Sequence, residues 1–154
     1  MTILNPATSL EDGLLIERRL DFPRSQVWRA WTDPEILRRW ICPKDFTVTL
    51  CEGDLRVGGA WRTGMRAPDD TLHVCGGIYR EIVAEERLVF SHRWEEGVGL
   101  LGHETVATVT LADTGPGTLM RFAQTGFASV ASRDGHHGGW SESFGKLDPC
   151  LAAL

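Results

Sequence analysis

The feature that most constrains this chain lies near its end, in the stretch GGWSESFGKLDPCLAAL at 138–154. Trp140, Phe144, Leu147 and Leu151 recur at steps of four, three and four, which is one stripe of a helix with a period of 3.6 residues. Glu142, Ser143, Lys146 and Asp148 fall on the opposite, polar side. From about Phe46 to Gly126 the chain reads instead as strands and tight turns. A long amphipathic helix that follows a run of strands must cover a sheet, because its apolar stripe gains by leaving water. The expected fold is therefore α+β: a curved antiparallel sheet wrapped around one long C-terminal helix. What this leaves open is whether the grip is filled solid or encloses a cavity.

Taken in order, Leu14 to Leu20 alternates as a first strand, with Leu14, Ile16, Arg18 and Leu20 on one side. Phe22-Pro23 then opens a helix with proline at its first position and Val27, Ala30 and Trp31 inside. Asp33-Pro34 caps a second helix carrying Ile36, Leu37 and Trp40. Six strands follow: 46–51, 55–65 with a bend at Gly58-Gly59, 72–83 with a bend at Gly76-Gly77, 88–94, 104–111 and 118–126. The order is β-α-α-β6-α. Residues 95–102 form a glycine-rich loop expected to be mobile, and 129–139 reads as a connector to the last helix. Pro149 deletes a backbone hydrogen bond and crowds the carbonyl of Gly145, so a kink or break near Asp148–Pro149 is expected, with Leu151 packing separately.

Length and charge narrow the function classes. A chain of 154 residues suits a single domain over 1–154, with 1–13 loosely ordered. The net charge of -5 disfavours nucleic acid and anionic membranes as partners. No run of 18 apolar residues could span a bilayer, and the N-terminus lacks the pattern of a signal peptide. Cys42, Cys51, Cys75 and Cys150 are scattered without metal-ligand spacing, which points to reduced thiols in a cytoplasmic protein and to no metal.

Five pieces of the chain resemble the START-like helix-grip superfamily, in its branch related to the C-terminal domain of the Hsp90 ATPase activator. They are IERRLDFPRSQVWRAWTDPEILRRW at 16–40, DLRVGGAWR at 54–62, GGIYREI at 76–82, TLMRFAQTGF at 118–127 and GGWSESFGKL at 138–147. The resemblance implies the helix-grip fold. For activity it implies only a range: lipid or hydrophobic-ligand binders, polyketide cyclases, antibiotic-resistance proteins and co-chaperones.

Candidate site residues come from side chains expected to face inward. His92 shares its side of a strand with Leu88, Phe90 and Trp94, as a core histidine or as a hydrogen-bond partner or general base in a cavity. Gln124 shares a side with Met120 and Phe122, where an amide could orient a ligand. Trp61, Trp94 and Trp140 suit the rim and wall of a cavity, joined by Trp40 and Phe144, whereas Trp28 and Trp31 suit the core. His136-His137 reads as part of a solvated loop, and Arg18 as a surface ion or a cationic anchor. No nucleophile triad, phosphate loop or dinucleotide fingerprint is present, and nothing requires a cofactor. The preferred reading is a binder of a small hydrophobic or aromatic molecule. A cyclase- or hydrolase-like enzyme using His92 or Gln124, and a chaperone-partner protein, are the alternatives. Homodimerisation through an edge strand or the 95–102 loop stays open.

Overall fold

A computed structural model of the chain describes residues 13–96 and 103–154. The expected loosely ordered lead-in, Gly13 apart, and the glycine-rich loop beyond Glu96 lie outside the described residues. The elements run β1 (Leu14–Leu20), α1 (Arg24–Thr32), α2 (Pro34–Leu37), β2 (Thr47–Gly53), β3 (Ala60–Arg66) and β4 (Leu72–Val83). They continue β5 (Arg87–Glu96), β6 (Thr105–Thr114), β7 (Gly117–Thr125) and α3 (Val130–Ala152). The strands form one antiparallel sheet in the order β1-β7-β6-β5-β4-β3-β2, curled around α3 as a helix-grip.

Local chemistry sets several of these boundaries. Asp33 caps α2 by accepting from Glu35 N at 3.0 Å. Pro23 sits one position earlier than expected, as the N-cap of α1, where its carbonyl accepts from Gln26 and Val27. The expected strand over 55–65 begins only at Ala60. Residues 54–59 turn back on β4 instead: Gly58 takes a φ of 87° and donates to Tyr79 O, and Tyr79 N donates to Gly59 O. A left-handed residue in this turn favours glycine, and the tight return leaves no length for a strand. At Gly77 a Cβ would overlap the Ser91 carbonyl, so the glycine permits close strand approach. The register shifts of β4 against β5 flank it, at Val74/Cys75 and Tyr79/Glu81.

The core gathers where α1, α2 and the end of α3 meet β1, β7 and β6. Trp31 is its hub, stacked 6.1 Å from Phe122 and edge-on to Trp40 at 4.7 Å and to Phe144 at 6.0 Å. Its indole N–H donates to the Met120 sulfur. Leu147 and Leu151 are fully buried in the same cluster.

Two expectations about the last helix are corrected. α3 begins at Val130, not at Gly138, capped by the Ser129 hydroxyl, which accepts from Ser132 N. It also runs through Pro149 to Ala152 without a break, and Leu151 joins the common core. Pro149 lies in the last turn, and the burial of Cys150 and Leu151 holds that turn in place. The polar side of α3 is partly covered. Ser143 is buried with its hydroxyl directed to Ile41 O and Gly139 O, Glu142 accepts from Lys44 N, and Lys146 donates to Pro43 O. These contacts tie the 41–46 segment to the helix.

Candidate functional site

The sheet is longer than the core that fills it. Over β3, β4 and β5 the first half of α3 stands away from the strands, and the 41–46 segment forms the opposite lip. The space between is a cavity of about 350 Å³, open to the surface on one side. From α3 it is roofed by the row Ala131, Gly135, Gly139 and Ser143 and by the neighbouring row Ser132, His136 and Trp140. These are the i, i+4 rows of one helix face. At Gly135 an added Cβ would meet nothing within 4 Å, and at Gly139 only the Pro43 ring at 3.6 Å. The glycines therefore keep the roof high.

Four of the nine residues expected at the site line this cavity: Trp61, His92, Trp94 and Trp140. The other five, Trp40, Met120, Phe122, Gln124 and Phe144, are fully buried in the packed interior beside the cavity. Gln124 does not offer its amide to a ligand. It accepts from Trp140 Nε1 at 2.8 Å, donates to Thr105 Oγ1 at 2.8 Å, and Thr105 in turn donates to the His92 carbonyl. The chain of bonds fixes Trp140 against β7 and β6. Arg18 is no anchor for a ligand here, since β1 lies at the far edge of the sheet from β3. Arg56 and Arg62 pair with Asp54 and Glu95 on the surface.

His92 sits at the middle of an aromatic ring of neighbours: Trp61 at 5.6 Å, Trp94 at 5.4 Å, His136 at 5.8 Å and Trp140 at 6.4 Å. Burial, and secondarily the adjacent His136, push its pKa down to about 3, against a hydrogen bond with its own main chain. The imidazole is thus neutral at ordinary pH. His136 was expected in a solvated loop and is instead a half-buried wall residue. Trp94 Nε1 donates to its Nε2 at 2.9 Å, so Nδ1 carries the proton and donates to Ser132 O at 2.7 Å. Burial holds its pKa below the ordinary value as well, against that Ser132 bond. His137, one residue on, is turned about 100° around the helix and is not part of the wall.

Residues that the sequence pattern did not single out complete the wall. Trp31 shows one face to the cavity, and Tyr79, Phe90, Thr63 and Cys75 form the floor. Burial raises the Tyr79 hydroxyl to about 12 and raises the Cys75 thiol further, so both stay protonated. Tyr79 and Thr63 could have been found by extending the inward side of β4 and β3. His136 could have been found from its i, i+4 spacing to Trp140.

The model of the activator of Hsp90 ATPase homolog 1-like proteins matches residues 21–152. The chain belongs to this family. In this AHSA1-like chain the motif DLRVGGAWR supplies Trp61, and GGWSESFGKL supplies Gly139, Trp140 and Ser143 to the cavity. A Chromobacterium violaceum protein of known structure is 29% identical, with a TM-score of 0.79 over 88% of this chain and 94% of that one. A Nitrosomonas europaea protein is 28% identical, with a TM-score of 0.77 over 91% and 94%. The AHSA1 protein of Silicibacter pomeroyi, at 20% identity, shares the fold with a TM-score of 0.80 over 91% and 97%. No curated protein matches the sequence. Among the described residues no helix is long and apolar enough to cross a membrane, and no group of three or more His, Cys, Asp or Glu could hold a metal ion.

Proposed function

We propose that the protein binds a small hydrophobic or aromatic molecule in the cavity between the first half of α3 and strands β3 to β5. The observation that carries this reading is the convergence of four indoles, Trp31, Trp61, Trp94 and Trp140, on one open space of about 350 Å³ around a buried neutral imidazole. Small-molecule sites are concave, mostly apolar and furnished with a few placed polar groups, in volumes of roughly 300–1,000 Å³. Trp61, His92, Trp94 and Trp140 would contact the ligand, while Gln124, Met120, Phe122, Trp40 and Phe144 would hold the wall rigid. A general-base role for His92 is disfavoured, because a base with a pKa near 3 is poorly matched to proton abstraction at neutral pH.

The test is a thermal-shift screen with lipophilic aromatic compounds. Ligands should raise the melting temperature with concentration as mass action requires, the stability gain being about 2.7 kcal/mol at a hundredfold excess over Kd. A screen in which no aromatic compound moves the transition sinks the proposal.

A further inference from the structure

We infer that this cavity selects an uncharged molecule of one or two aromatic rings bearing a hydrogen-bond donor of the phenol type, received by His92, and that it rejects carboxylates. The inference rests on the ligand-binding reading above and specifies its ligand class.

The polar inventory of the wall carries it. Among the described lining residues there is no lysine or arginine, and the one carboxylate is Glu52, on the exposed end of β2. The stretches outside the described residues, 1–12 and 97–102, contain no lysine or arginine either. A carboxylate would therefore enter an aromatic cavity without a lysine or arginine countercharge, beside an acidic group. Burying an unpaired charge is far more costly than burying a neutral polar group.

The indole donors of the wall are committed. All four indole N–H groups of the wall are used inside the protein: Trp31 to the Met120 sulfur, Trp61 to Ser91 O, Trp94 to His136 and Trp140 to Gln124. His136 has both ring nitrogens engaged. Ser143 directs its hydroxyl to main-chain carbonyls. The buried His92 differs: it lines the cavity, and a neutral imidazole has one donor and one acceptor nitrogen. Its acceptor nitrogen belongs to a ring of the cavity wall. A ligand O–H or N–H would complete it, whereas an acceptor-only ligand would leave it unmatched. The indoles around it supply edge and face contacts for flat rings.

The test uses the full chain and three probes of one shape, naphthalene, 1-naphthol and 1-naphthoic acid, titrated at pH 7 by tryptophan quenching and calorimetry. 1-Naphthol should bind about tenfold tighter than naphthalene, the worth of one hydrogen bond. 1-Naphthoate should bind about a hundredfold weaker than 1-naphthol. In His92→Leu the advantage of 1-naphthol over naphthalene should vanish while naphthalene still binds. In His92→Gln, which keeps an acceptor, part of it should return, and thermal melts verify that both variants fold. Equal affinity for naphthoate and naphthol overturns the inference but leaves the ligand-binding reading standing. So does naphthoate binding that weakens in Lys44→Ala, which would place an anion site at the exposed lip. If none of the three probes binds, both readings fall.

Discussion

The two halves of α3 are built for different tasks. From Ser143 onward the helix buries Phe144, Leu147, Cys150 and Leu151 against α1 and β1, and the rings of Trp31, Trp40 and Phe122 close over Phe144. Before Ser143 only Arg133 is buried, and the helix contains Gly135, Gly138 and Gly139. Glycine in a helix interior costs about 0.5–1 kcal/mol relative to alanine, so this half is intrinsically weak. One end of the helix is packed like a core, and the other is kept thin over a cavity. A stable anchor allows the glycine-rich half to remain helical without filling the space beneath it. Stability should therefore reside in one half and binding in the other.

The most disruptive way to challenge this division is Phe144→Ala. It should lower unfolding stability by about 3–5 kcal/mol, as for large aromatic truncations in closed cores. Urea denaturation measures it, and a loss below about 1 kcal/mol would mean that the second half is not the anchor. His136→Ala, in the other half, should cost clearly less.

Acid offers a second probe, of the boundary between the cavity and the core. The unfolded His92 titrates near 6.5 and the folded one near 3, so between these values the unfolded chain holds the extra proton. The stability is complete above about pH 6.5 and is lost as the pH falls toward 3, by about 1.4 kcal/mol per pH unit. His136 is shifted in the same direction and adds to the slope. Denaturation curves of the wild type and His92→Gln between pH 7 and 4 should diverge, with the variant flatter. Parallel curves would mean that His92 is hydrated rather than buried.

The smallest expected effect is the most specific. Gly135→Ala should raise stability by about 0.5–1 kcal/mol through helix propensity, because its new methyl group meets no neighbour. Because Gly135 lines the roof, the same methyl group should weaken binding of a two-ring aromatic ligand several-fold. A variant that is both more stable and an equal binder would show that this glycine does not set the roof height.

The same division explains what could be read from the sequence. The stripe Trp140, Phe144, Leu147, Leu151 announced the anchor, because dense packing leaves a strong apolar period. Asp33 announced α2, because a cap followed by proline has few other uses. The cavity half was hidden for the opposite reason. A tract with Gly135, His136, His137, Gly138 and Gly139 has neither propensity nor apolar period, and it is helical because Ser129 caps it and the anchor extends it. Strand alternation showed that Gln124, Phe122 and Met120 face inward. It could not show that inward means solid core under β6 and β7 but open cavity under β3 to β5. That distinction depends on how far α3 stands from each strand, which no strand encodes alone. The burial of Ser143 was hidden for a similar reason: the 41–46 segment covers part of the polar side of the helix.

The most direct test of the account is a nitrogen-15 correlation spectrum of the indole N–H groups during titration with 1-naphthol. The six tryptophans report on both regions at once. Trp31, Trp61, Trp94 and Trp140, which line the cavity, should shift progressively, while Trp28 and Trp40, which do not, should stay in place. Uniform small shifts, or movement of Trp28 and Trp40 alone, would contradict a binding cavity beneath the first half of α3.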